Sequence, residues 1–310
     1  MFNLLLQFSS IDQSSKNVIS YTDEIDGLYK DVPVIIFGDH TRRFKLVEEP
    51  FFIGADGTKV LKLCSSVYDY KFIYYYLLHK KIPDTGYNRH FKWVKEIEFP
   101  EIPRSIQSDI VKKFEVLNDL ISSKNKLLEL LDILIKSRFV EVFGIFNVNT
   151  NNHNTIKFKD LIEQNNINEE DKVWLLNLDM IKSNTGEIIE KVYINKQNIP
   201  TSSIAFKKGT VLYSKLRPYL NKVVIADENG YGTSELIPLN SYKNGLTAEY
   251  LAYYLRQDSF VEYIKDKVTG AKMPRVAMDI LRNIDIIQPN YISQEQFSSF
   301  VNHINKLKFA

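Results

Sequence analysis

The feature that most restricts what this chain can become is a stretch in its middle without a helix breaker. From Ser105 to Phe139 there is neither Gly nor Pro. Within it Ile110, Phe114, Leu117, Ile121, Leu128, Leu131 and Ile135 fall at alternating spacings of four and three, and Lys124 is the one polar interruption. That alternation is the a/d repeat of a coiled-coil helix. Leu120, Leu127, Leu130 and Leu134 widen the stripe, so more than one partner surface is expected to cover it. About 35 helical residues extend roughly 50 Å at about 1.5 Å per residue, which suits a spacer between two bodies. Near the end of the chain Phe297, Val301 and Ile304 give a shorter helix an apolar face able to lie against the long one. That partner covers about half of the seam, and the remainder is expected to stay exposed for another protein or a second copy.

The segments on either side of this helix share an order of elements, roughly 180 residues apart. A strand running into a basic, aromatic turn opens each half: Ile35 to Asp39 with Arg43-Phe44-Lys45, against Val211 to Arg217. Gly54 to Leu61 is matched by Gly232 to Leu236, and the helix around Tyr74-Tyr75-Tyr76 by Tyr253-Tyr254-Leu255. A loop with Gly and basic residues follows, Gly86 to His90 against Gly270 to Arg275. Ile97 then matches Ile286, and Pro103 with Gln107 matches Pro289 with Gln294. Each match alone is weak; their shared order is not. Gly54-Ala55-Asp56-Gly57 reads as a hairpin-like loop, and Phe91–Val94 as extended.

Bulk properties leave the partner open. The 310 residues suffice for two domains, and a net charge of +2 neither demands nucleic acid nor mimics it. The single cysteine, Cys64, sits in an apolar run and is expected to be buried; one cysteine fits a reducing, cytoplasmic setting. No run of about 18 apolar residues is present, and the apolar start from Met1 to Phe8 is short and lacks a basic flank, so neither a membrane span nor a signal peptide is expected. Cations and flat rings share several loops: Arg42, Arg43 and Lys45 around Phe44; Arg89, His90 and Lys92 around Phe91; Lys215, Arg217 and Lys222 near Tyr213 and Tyr219; and Lys272 with Arg275. With Lys59, these are candidate DNA contacts, because phosphates and base edges are met by such side chains. The same residues are equally what ordinary solvated charge looks like. Asp39, Asp56 and Asp84 sit beside Gly or in a loop and read as turn formers. The five histidines show no ligand spacing, and no phosphate loop or dinucleotide fingerprint is present, so neither a metal site nor a cofactor is expected.

Ile36-Phe37-Gly38-Asp39-His40-Thr41-Arg42, Ile53-Gly54-Ala55-Asp56-Gly57-Thr58, Gly86 to Lys92 and Leu134 to Gly144 resemble the specificity subunit of Type I restriction–modification systems. Ser214 to Tyr219 and Thr269-Gly270 carry the likeness into the second half. The resemblance implies an α+β chain: two target-recognition domains, mixed or mainly β, joined by a long coiled-coil helix that pairs with a shorter terminal helix. The expected boundaries are 1–102 for the first recognition domain, 103–143 for the central helix, 144–290 for the second domain and 291–310 for the last helix. It also implies a non-catalytic protein that reads a bipartite sequence in double-stranded DNA. Methyltransferase subunits carrying S-adenosylmethionine would dock on it, and a motor and endonuclease subunit would act through the complex. Measured against the family pattern, the first domain is expected to lack its opening strands and the last helix is short. The alternative is therefore a truncated or silent-cassette fragment that binds methyltransferase subunits, or a second copy of itself, without useful DNA recognition.

Overall fold

The computed structural model describes residues 7–167 and 171–308. The apolar start, Met1–Leu6, and Phe309 lie outside them. The chain divides into two compact units, Met1–Lys124 and Asn125–Ala310, and the division falls inside the long helix.

In the first unit the strands are β1 (Phe8–Ile11), β2 (Ser20–Thr22), β3 (Val34–Gly38), β4 (Phe44–Val47), β5 (Phe51–Ile53) and β6 (Thr58–Leu61). They form two small sheets, β2-β1-β5 with β1 and β5 parallel, and an antiparallel β4-β3-β6. All of β3 is buried, which is why Val34–Phe37 is an unbroken apolar run rather than an alternating one. Helix α1 (Tyr70–His79) starts at Asp69, whose carboxylate accepts the backbone N–H groups of Lys71 and Phe72. Phe72, Ile73 and Leu77 pack against Ile35, Phe37 and Phe44, with Val111 of the long helix completing that core. A single turn, α2 (Phe91–Val94), precedes the long helix α3 (Arg104–Phe143).

Three expectations are corrected here. Phe91–Val94 is helical, because the Asp39 carboxylate accepts the N–H groups of His90 and Phe91 and so caps its start. Gly54–Gly57 does not close a hairpin, since β5 joins β1 and β6 joins β3. Cys64, expected inside, is exposed: β6 ends at Leu61, and the apolar run continues past the strand into a turn.

The second unit contains β7 (Asn154–Lys157), α4 (Phe158–Leu161), β8 (Lys172–Leu176), β9 (Val192–Asn195), β10 (Ile204–Phe206), β11 (Val211–Ser214), β12 (Val223–Ile225), β13 (Gly230–Gly232) and β14 (Leu236–Leu239). Then come α5 (Ala248–Arg256), α6 (Asp258–Lys265), β15 (Val268–Thr269), β16 (Arg275–Val276), α7 (Met278–Arg282), β17 (Asp285–Gln288) and α8 (Tyr291–Lys308). Its sheets repeat those of the first unit strand for strand. The order β12-β11-β14 matches β4-β3-β6, and β9-β8-β13 matches β2-β1-β5, down to the parallel pairing of β8 with β13. The second unit adds β10 beside β13 and the pair β7-β17.

The repeat reaches single atoms. Gln107 and Gln294 are both fully buried at the head of their helices. Gln107 accepts the N–H of Asp69, the residue capping α1, and donates to the carbonyls of Val67 and Ile102. Gln294 accepts the N–H of Thr247, the residue capping α5, and donates to Gly245 and Pro289. One glutamine thus staples the following helix to the capped start of the Tyr-rich helix in each unit.

Helix α3 has 40 residues, about 60 Å at about 1.5 Å per residue. Its burial is uneven. Ile135 and Phe139 are fully inside the second unit's core together with Phe297, Val301 and Ile304 of α8. Phe297 meets Phe139 and Phe143 edge-on, and Lys308 is ion-paired with Asp132, so the two helices run antiparallel. Ile110, Leu128 and Leu131 are half-buried, whereas Phe114, Leu117 and Ile121 of the expected seam are exposed. Leu120, Leu127, Leu130 and Leu134 are exposed as well.

Candidate nucleic-acid interface

In the first unit four loops are tied together at one end of the strands, and Asp39 is the knot. Its backbone N–H donates to Gly57, 2.9 Å, and its carbonyl accepts the N–H of His90, 3.0 Å. Its carboxylate accepts the N–H groups of His90 and Phe91 at 2.7 and 2.8 Å, capping α2. Gln13 ties in the loop after β1: its Oε1 accepts the His40 N–H and its carbonyl accepts the Thr41 hydroxyl. A Cβ on Gly38 would collide with Thr41 and Gln13, so this close approach demands glycine there. The loop carrying Gly86 then projects outward. Asp84 accepts the Gly86 N–H and pairs with Arg42 at 2.8 Å, and these two contacts, in that order, hold its carboxyl below its ordinary pKa. Tyr87 at the tip is 91% exposed and lies flat over His40, ring centroids 4.9 Å apart.

The second unit builds the same knot with different chemistry. Lys215 stands where Asp39 stands: its N–H donates to Glu235, 3.0 Å, and its carbonyl accepts the N–H of Val276, 3.1 Å. Arg217 donates its N–H to Pro274, 2.8 Å, from a left-handed backbone at φ +46°. The Arg275 guanidinium grips Glu235 at 2.8–3.1 Å, and that carboxylate raises its pKa. Arg217, Tyr219, Lys272 and Met273 are exposed around this knot.

The candidate contacts therefore separate. Arg43, Arg89, Lys92, Arg217 and Lys272 are exposed, and Lys59 and Lys215 partly so. Lys92 lies over the ring of Trp93, 4.1 Å from its centroid. Arg42 and Arg275 are held by carboxylates. Three expectations are corrected to framework roles. Lys45 is buried and donates to the carbonyls of Asp12 and Lys16, because the β1 loop folds over it. His90 is fully buried, its ring Nδ1 against the Asp39 carbonyl at 2.9 Å. The Lys222 ammonium is spent on the Leu178 carbonyl. Gln13 and Glu235, neither of them among the candidate contacts, prove central, and no local pattern marks the role of either. Among the described residues no group of three or more His, Cys, Asp or Glu is placed to hold a metal ion, and no helix is long and apolar enough to cross a membrane.

Because the Asp39 carboxylate accepts one buried and one partly buried N–H group, Asp39→Ala is expected to cost about 2 kcal/mol, the range of a charge-assisted cap. Amide exchange at His90 and Phe91 should speed up accordingly. Unchanged protection there would show that the loop holds itself.

No family model matches the chain. In sequence it is similar to the Type I restriction enzyme EcoDI specificity subunit of Escherichia coli, 25% identical over 116 residues, 37% of this chain and 26% of that protein. It is also similar to the MjaIX specificity subunit of Methanocaldococcus jannaschii, 26% identical over 129 residues, 38% of this chain and 29% of that protein. These matches span less than a third of the relatives' length. In fold the chain resembles an S subunit of a Type I restriction–modification system from M. genitalium, with TM-score 0.55, 14% identity, and 97% of this chain and 82% of that one covered. A chain from work on complex assembly and conformational transition of the type I R-M system gives TM-score 0.54 at 14% identity, covering 99% of this chain and 85% of that one. The chain thus resembles Type I specificity subunits, in sequence over more than a third of its length and in fold over nearly all of it.

Proposed function

We propose that this chain is a non-catalytic DNA-recognition subunit of a Type I restriction–modification assembly, each unit reading one part of a bipartite target through its knotted loops. The observation that carries this reading is the knot itself. Asp39 and Lys215 make the same two backbone bonds on the same strand scaffold, yet present different side chains at the loop tips. A repeated frame with divergent tips is what two readers of two sequences require, whereas a purely structural repeat has no need for divergence. Methyltransferase subunits, which would bring S-adenosylmethionine, dock on the exposed leucines of α3, since apolar stripes of this size mark protein contacts. A motor and endonuclease subunit would join through that assembly.

Duplex binding across a salt series, with and without methyltransferase subunits, tests the proposal. Expected is a steep salt slope together with preference for one sequence. Methyltransferase binding without sequence preference would replace it with the fragment reading, which the exposed α3 stripe favours on its own. Methylome sequencing with and without the gene should show one bipartite adenine motif disappear, and that motif would name the target.

A further inference from the structure

In the first unit a cleft of about 480 Å³ opens between the Thr41–Lys45 segment, the end of α1 and the loop after β1. Its charged lining is entirely cationic: Arg42, Arg43, Lys45 and Lys80, with no carboxylate. Asn17 and Ser15 add neutral hydrogen-bonding groups at the rim. Two of the cations are already committed, Arg42 to Asp84 and Lys45 to backbone carbonyls. Arg43 and Lys80 have no ion-pair partner among the described residues; Lys80 merely rests over the Tyr76 ring at 4.5 Å. Burial, the largest influence, pushes the Lys45 ammonium below its ordinary pKa; Asp12 pulls it back up, and Arg43 pushes it down again. Arg43 and Lys80, the two cations of this lining left without a carboxylate, form a seat for an anion from outside.

The second unit supplies a comparison inside the same chain. A cleft beside α5 and the loop after β8, which also takes in α3 and α8, is lined by Asp132, Glu187, Asp227 and Glu249 as well as Lys182, Arg256 and Lys308. Those two lysines are paired internally, with Glu187 and Asp132. Unlike the first unit's cleft, this one carries its own carboxylates.

We infer that the first unit's cleft seats a backbone phosphate of the DNA duplex, bound by Arg43 and Lys80. The inference rests on the proposed DNA-reading role and assigns a division of labour within it. The cleft anchors without regard to sequence, while the exposed loop tips discriminate bases. Arg42 and Lys45, held from behind, supply field rather than contact.

The test is the slope of log binding constant against log salt for a 40-base-pair duplex of mixed sequence, between about 50 and 300 mM, where each lost phosphate contact removes about 0.9. It is measured for the full chain and for its assembly with methyltransferase subunits. Arg43→Ala/Lys80→Ala should flatten the slope by about 0.9 and weaken all sequences alike. Arg43→Lys/Lys80→Arg, which keeps both charges, should restore it. Lys112→Ala/Lys113→Ala, removing the same charge from exposed positions on α3, should change it by less than about 0.3. If the cleft variant matches that control, or alters sequence preference instead of overall affinity, the cleft assignment is overturned while DNA reading stands. Absence of any salt-dependent duplex binding would overturn both. Calorimetry with inorganic phosphate separates the two sources of the anion: tight phosphate binding with an unchanged duplex slope would assign the seat to a free anion and overturn the duplex assignment.

Discussion

Gln107→Ala should destabilise the first unit by about 2–4 kcal/mol, more than any surface change in the chain, and Gln294→Ala should do the same to the second. Each side chain is fully buried and makes three hydrogen bonds, at 2.7–3.0 Å for Gln107 and 2.9–3.2 Å for Gln294. Truncation leaves one N–H and two carbonyls without their partner, each costing about 1–3 kcal/mol where water cannot replace it, and opens a cavity besides. The released N–H belongs to the residue that caps α1 or α5, so the helix start loosens together with its attachment. Hydrogen exchange resolved by segment distinguishes the two variants. Gln107→Ala should strip protection from β3 and α1, and Gln294→Ala from β11 and α5. Protection lost equally everywhere, or nowhere, would mean that the glutamines are not the local staples their bonds describe.

These glutamines also show what could be seen in advance. Their place after a proline was visible in the sequence, because the order of apolar and turn segments survives when identity does not. Their role was not, since the partners of Gln107 include Asp69 and Val67, about 40 residues away. The same limit explains the misplaced side chains. Lys45 sits on a strand buried on both faces, so alternation carries no signal there, and what covers it is a loop some 30 residues earlier. His90 looked like a loop cation because its capping partner, Asp39, is 51 residues distant. Parallel pairing of β1 with β5 is likewise non-local, which is why Gly54–Gly57 imitated a hairpin. The long helix was legible almost to its ends because its periodicity is local. Within the knot, the exposed tips were identified by composition, whereas the residues that hold them, Gln13 and Glu235, carry no local mark.

The division between framework and tip makes the remaining large effect predictable. Arg89 is exposed on the projecting loop of the first unit, and Arg217 on the loop after β11 of the second. An arginine that reads a guanine edge contributes about 1–3 kcal/mol of discrimination, roughly 5- to 150-fold. Arg89→Ala should therefore relax preference at one part of the target and leave the other part intact. Arg217→Gly should do the reverse, and it carries a second signature. At φ +46° a side chain strains the backbone, a cost that glycine escapes, so this variant should be as stable as the parent or up to about 1 kcal/mol more stable. A residue kept for stability would show the opposite sign; one kept for recognition loses selectivity while the fold holds or gains. Because the two residues belong to separate units, the double variant should lose the product of the two selectivities. Selection from a randomised duplex library reads all three outcomes. If both single variants relax the same base positions, the two units do not read separate parts of the target, and the bipartite reading fails.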